Sequence, residues 1–216
     1  GKKVGVVSVK LLQPFPEAEL VAALRGKKAV TVLERSETTA LTSLVTQALF
    51  KAVENASGER HPGIPPMQGL PKLTTAIFGL GAHDLQPRHL VAAFKNMEAR
   101  NVPFVYLGSQ FFAKNPPPQL AALQARLKAA YPETELMALE TEPNPTLLPP
   151  EAFRVRFHSI GGYGTIATGK LITDILAGVL GMHSKAAPKY GSEKSGAPTN
   201  YYITLSPEPV KITNAE

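Results

Sequence analysis

Apolar and polar positions along this chain fall into alternating strand-like and helix-like stretches. Residues 3–12, KVGVVSVKLL, carry Val4, Val6, Val7 and Val9, whose β-branched side chains favour extended backbone, and they predict a buried strand. Pro14 and Pro16 end it, and Pro16 opens a helix over EAELVAALRG that Gly26 closes. KAVTVLE, residues 28–34, is the next strand. In residues 39–55, Leu41, Leu44, Val45, Ala48, Leu49 and Ala52 recur at helical spacing. The loop HPGIPPMQGLP leads to a third strand, KLTTAIFGLG, then to the helix QPRHLVAAFKNME and a fourth strand, VPFVYLG. A proline-led helix, PPPQLAALQARLKAAY, completes the first half. This alternation predicts an α/β domain over residues 1–131, built on a parallel, doubly wound sheet.

The pattern then changes. Residues 132–150, PETELMALETEPNPTLLPP, are acidic and proline-rich and predict an extended connector. From residue 151 a second α/β unit is expected to run to residue 216. FRVRFHSI is its first strand, Gly161–Gly164 turn it, TIATGKLITDILAGVLG is a helix, and NYYITLSPEPVKI supplies a further strand. Between helix and last strand, APKYGSEKSGAPT reads as a loop dense in lysine and glycine.

Composition narrows the function classes. With 44% apolar residues in 216, the chain has enough material for a packed core. It has no cysteine, which excludes disulfides, thiolate zinc sites and iron–sulfur ligation by its own residues and fits a cytoplasmic protein. A net charge of +6 favours anionic ligands or partners, but the lysines are dispersed without interleaved aromatics, so no nucleic-acid platform is expected. No apolar run of about 18 residues occurs and no leader pattern is visible, so neither a membrane span nor a signal peptide is expected. The five histidines show no metal spacing, and no Ser/His/Asp set assembles. Glu34-Arg35-Ser36 ends a strand and reads as a local ion pair, while Asp84 is placed to cap the helix after it. The chain starts at Gly1 and stops at Glu216 just after a strand, as one segment of a longer protein would.

The glycine turn invites two nucleotide-binding readings. Gly162-Tyr163-Gly164-Thr165-Ile166-Ala167 fits the G-x-G-x-x-A form between strand and helix, but no acidic residue follows where a dinucleotide ribose needs one, since residues 182–185 are MHSK. Gly164-x-x-x-x-Gly169-Lys170 fits a phosphate loop until its last position, where magnesium needs Ser or Thr and Leu171 stands instead. Two readings remain open. The turn is either an anion site at a helix N-terminus or only a tight strand-to-helix turn. Likewise, Lys189 and Lys194 either fold over that edge, with Glu193 holding one of them, or belong to a solvated loop.

Two blocks, the turn at Gly161–Gly164 and PKYGSEKSGAPT at residues 188–199, resemble the γ-type domain of 2-oxoacid:ferredoxin oxidoreductases, most closely those acting on pyruvate with ferredoxin or flavodoxin. KVGVVSVKLLQPFP, KAVTVLERSE and GLGAHDLQP are similar to the preceding, transketolase C-terminal-like domain of the fused enzymes. The resemblance implies oxidative decarboxylation of a 2-oxoacid to an acyl-coenzyme A, with electrons passed to ferredoxin or flavodoxin. It implies thiamine diphosphate and [4Fe–4S] clusters bound by other domains or subunits of an oligomeric assembly. This chain would then contribute docking and active-site closure, with no catalytic residue and no cofactor held by it alone. By the same resemblance, Gly162, Gly164 and Thr165 lie near the active-site edge, and Lys189, Tyr190, Lys194 and Ser195 are candidates to meet coenzyme A or its phosphates. The family's γ-type domain continues past the point where Glu216 stands, which again suggests a segment. Two alternatives stay open: 2-oxoglutarate as substrate, and a stand-alone module binding coenzyme A or a nucleotide.

Overall fold

A computed structural model describes residues 3–139, 143–191 and 196–211. The chain divides into two compact units, Gly1–Asn144 and Pro145–Glu216.

In the first unit, β1 (Ala29–Glu34), β2 (Lys72–Ile77), β3 (Phe104–Leu107) and β4 (Ala138–Leu139) form a parallel sheet in that spatial order. Helices α1 (Glu17–Leu24), α2 (Ala40–Glu54), α3 (Pro87–Lys95), α4 (Pro118–Ala130) and the short α5 (Thr134–Met137) connect or precede the strands. Successive side chains of a strand point to opposite faces, and both faces carry core. Val32 packs with Leu20, Val21, Leu24, Val45, Ala48 and Leu49 of α1 and α2. Ala76, Val105, Leu107 and Leu139 pack with Ala92 and Ala93 of α3. The expected α/β layering, with helices on both sides of a parallel sheet, is therefore present.

Three expectations about local structure are corrected. Residues 3–12 form no strand, and Val6 is 90% exposed. β-Branched side chains favour extended backbone, but a strand also needs a partner ladder, and β1 is an edge strand to which this segment is not paired. Residues 132–150 are not simply a connector. Thr134–Met137 is helical, Ala138–Leu139 pairs with β3, and Asn144 closes the first unit. Its Oδ1 accepts the Arg88 N–H at the start of α3, and its Nδ2 donates to Gln86 Oε1. Asn144 thereby helps to cap α3. Finally, much of the predicted loop at residues 187–199 is strand.

In the second unit, β5 (Phe153–Ile160), β6 (His183–Tyr190) and β7 (Pro198–Ser206) form a sheet in the order β5-β7-β6, with β7 antiparallel to both neighbours. Helix α6 (Thr165–Gly178) crosses from β5 to β6. Tyr201, Ile203 and Leu205 form the core with Val155, Phe157 and Ala186 from the flanking strands and Ile166, Ile172 and Leu176 from α6. The helix approaches so closely at Gly169 that a Cβ there would lie 2.3 Å from the Tyr201 ring.

Two substitutions in α6 should therefore part company. Gly169→Ala should destabilise the second unit by about 1–3 kcal/mol through overpacking. Gly178→Ala, which meets nothing within 4 Å, should be neutral or stabilise by up to about 1 kcal/mol through helix propensity. Urea unfolding of the full-length protein, with hydrogen exchange at β7 amides as the local readout, distinguishes them.

A pH prediction follows from His89, which is 4% exposed. Its Nδ1 accepts the Gln86 N–H at 3.1 Å, and its ring lies where a Gly108 Cβ would stand, 2.5 Å away. Burial first, and then repulsion from Arg88 and His83, hold the imidazole below the ordinary histidine range. The unfolded chain then binds the proton more readily. The neutral ring's contribution to stability is complete above about pH 6.5 and declines as pH falls from there through the folded value. His89→Gln should flatten this decline. Equal pH dependence of the unfolding midpoint in wild type and variant would refute it.

Candidate functional site

Strand β5 ends at Ile160 and the chain turns through four residues into α6. Gly162 and Gly164 hold φ values of 100° and 77°, a left-handed region that glycine enters without penalty. Gly164 is the N-cap of α6, and among the described residues no side chain caps the helix there. Its carbonyl accepts the Thr168 N–H at 2.9 Å. The amides of Thr165, Ile166 and Ala167 lie ahead of that first intrahelical bond, at the positive end of the helix dipole. A Cβ on Gly164 would meet nothing described within 4 Å.

The lysine-bearing segment reaches the same end of the sheet. β6 and β7 form a hairpin whose register places Lys189 opposite Asn200 and Tyr190 opposite Thr199. The Gly161 N–H donates to Ala197 O at 2.8 Å, and the Gly196 N–H donates to Gly161 O at 3.3 Å. These bonds extend the β5–β7 ladder into the turn and pin it to the hairpin stem. Gly162, Gly164, Thr165, Lys189 and Tyr190 thus gather at one end of one sheet, where Tyr163 and Tyr190 are exposed. Lys194 and Ser195 lie outside the described residues.

Behind this edge, on the sheet face opposite α6, sequence reasoning missed a polar cluster. Arg156 lies opposite Tyr202, and His158 opposite Asn200. Arg156 Nε donates to Asn200 Oδ1 at 3.0 Å, and His158 Nδ1 lies 2.7 Å from the same oxygen. An arginine Nε can only donate, so the Asn200 atom is its oxygen and His158 Nδ1 must carry a proton. The Arg156 guanidinium lies over the Tyr202 ring, 5.2 Å from its centroid. The alternation Arg154, Arg156, His158 along a period-two strand was the available signal, because it puts all three on one face.

Elsewhere, titratable groups serve local structure. Glu34 is buried and accepts the Thr42 N–H in the first turn of α2, in place of the ion pair expected with Arg35. Arg35 packs instead over Gly79. His61 pairs with Glu54, and His83 Nδ1 lies 3.1 Å from Leu80 O. Among the described residues no group of three or more His, Asp or Glu side chains could hold a metal ion. Nor is any described helix long and apolar enough to cross a membrane.

Comparison with known proteins accounts for both units. Residues 154–216 match the family described as pyruvate ferredoxin/flavodoxin oxidoreductase, and residues 1–89 match pyruvate:ferredoxin oxidoreductase core domain II. Both matched families carry the name of pyruvate:ferredoxin/flavodoxin oxidoreductases, one in each half of the chain. Over 219 residues, 99% of this chain, it is 24% identical to a pyruvate-flavodoxin oxidoreductase of Nostoc sp.. It is 23% identical over 98% of its length to a pyruvate:ferredoxin oxidoreductase of Moorella thermoacetica. A shorter match, 32% identical over 96 residues and 44% of this chain, is to the pyruvate synthase subunit PorA of Thermotoga maritima. The chain spans 16% of the Nostoc and Moorella proteins and 22% of PorA.

The backbone at Gly164 provides a test of how this end is built. Gly164→Ala should leave the fold intact, because the added methyl meets nothing described within 4 Å, yet cost about 1–2 kcal/mol for a left-handed alanine. A loss well above that range in chemical unfolding of the full-length protein would show that the position is packed, not open.

Proposed function

We propose that this chain is a non-catalytic segment of a coenzyme A-dependent 2-oxoacid oxidoreductase, acting on pyruvate and passing electrons to ferredoxin or flavodoxin. In this reading it helps seat coenzyme A and closes the active site. The observation that carries it is the pinning of a helix N-terminus, at Gly164 and Thr165, to a hairpin bearing Lys189 and Tyr190. Backbone amides and a lysine ammonium at one sheet end suit the phosphates of coenzyme A. Lys194 and Ser195, which lie between β6 and β7 in the sequence, are candidates for the same ligand.

In this reading thiamine diphosphate would supply the electron sink for decarboxylation and [4Fe–4S] clusters the route for the electrons. The clusters need thiolates, and this chain has no cysteine, so other domains or subunits hold them. The exposed Leu171, Ile175, Val179 and Leu180 on and just after α6 suit such docking. A cytoplasmic location fits the same reading.

Lys189→Ala in the full-length enzyme should raise KM for coenzyme A about two- to fivefold, the range of an exposed charge contact near 0.5–1 kcal/mol. Steady-state pyruvate oxidation with a ferredoxin or viologen acceptor gives the number. Purified from its source, the protein carrying this chain should be a large particle with iron–sulfur absorbance. A colourless, folded 23.1 kDa species would overturn the oxidoreductase reading and favour a free-standing binding module.

A further inference from the structure

We infer that Arg156, fixed by Asn200 and Tyr202, together with His158, is the receptor for a phosphate monoester, and that it makes the enzyme select coenzyme A over its 3′-dephospho form. This rests on the coenzyme A reading above and names the part of that ligand read by this face of the sheet.

Three features build the receptor. The first is immobilisation. The Arg156 side chain is exposed, yet its Nε is tied to Asn200 Oδ1 at 3.0 Å and its guanidinium plane lies over Tyr202. Holding Nε and the plane leaves Nη1 and Nη2, the pair that meets two oxygens of one anion side by side. Neither Nη has a hydrogen-bond partner among the described residues. The ordering entropy of a long side chain has therefore been met within the fold, before any ligand arrives.

The second feature is the neighbour. His158 Nδ1–H donates to the same Asn200 oxygen at 2.7 Å. Its Nε2 stays without a partner among the described residues, beside the arginine on an exposed stretch of strand. Asn200 Oδ1 is a single acceptor shared by two donors, which fixes the guanidinium and the imidazole relative to each other.

The third is charge balance. Strands β5, β6 and β7 contain no aspartate or glutamate, while Arg156, His158 and Lys185 share this face. A guanidinium beside an imidazole is matched best by a dianion, and a phosphate monoester carries about −1.5 to −2 at pH 7 with three acceptor oxygens. A diphosphate bridge offers less charge per phosphorus, and a carboxylate offers one. Coenzyme A has one monoester, on its ribose 3′ oxygen, and dephospho-coenzyme A lacks it. Tyr202 is buried under Arg156, so no exposed ring is left here to stack bases of a single strand.

The test compares KM for coenzyme A and for dephospho-coenzyme A in the full-length enzyme during pyruvate oxidation. Wild type should prefer coenzyme A by about ten- to a hundredfold, the range of a charge-assisted contact. Arg156→Met should bring the ratio towards one. Arg156→Lys, which keeps charge but loses the fork, should fall between. Asn200→Ala should also lower the ratio, since it releases the arginine without removing it. If coenzyme A supports turnover and the ratio is unchanged in Arg156→Met and Arg156→Lys, the receptor assignment is wrong while the proposed function stands. If neither thiol supports turnover in wild type, the coenzyme A reading itself fails and takes this inference with it.

Discussion

Everything at the turn end of the second unit depends on β7 being paired on both sides. An interior strand must satisfy its backbone against two neighbours, and both run antiparallel to it. That register fixes which residues face α6 and which face away. Tyr201, Ile203 and Leu205 take the helix side and form the core. Asn200 and Tyr202 take the other and organise Arg156 and His158. A one-residue slip would exchange the two sets, burying the polar residues and exposing the core. The same pairing continues past the strand ends, where Gly161 bonds to Gly196 and Ala197 and sets the turn against the hairpin.

The two faces of this sheet have opposite demands. The helix face needs close packing, and Gly169 meets that demand by letting α6 sit against the Tyr201 ring. The other face keeps long basic side chains exposed, so its order comes from hydrogen bonds and stacking. A lysine at position 156 would not be held this way, because an ammonium lacks both the planar surface and the separate Nε donor. The positively charged open face and the helix start are thus joined by covalent continuity through the end of β5.

The first unit uses the same economy over longer sequence distances. Asn144 closes the start of α3 from 56 residues away, and Glu34 caps α2 from the end of the preceding strand. The imidazole of His89 fills the space that a side chain at Gly108 would occupy. The Asn144 and Glu34 caps are polar groups satisfied by partners that no local motif announces. Reading adjacent residues pointed instead to an ion pair at Glu34.

Sequence alone determined the strand–helix alternation, because hydrophobic period is a local property, and it marked the glycine turn and the PKYGSEKSGAPT block. It also determined that no thiolate cluster can form here. Tertiary structure decided what depends on pairing. Residues 3–12 have strand-forming side chains and no ladder, whereas residues 183–190 read as the approach to a loop and became a strand because β7 lies beside them. The cluster of Arg156, His158, Asn200 and Tyr202 draws residues from two strands separated by 42 positions between His158 and Asn200. Alternation could place Arg156 and His158 on one face, but only the β5–β7 register could bring a shared acceptor between them, because cross-strand contacts are set by pairing and not by neighbours in the chain.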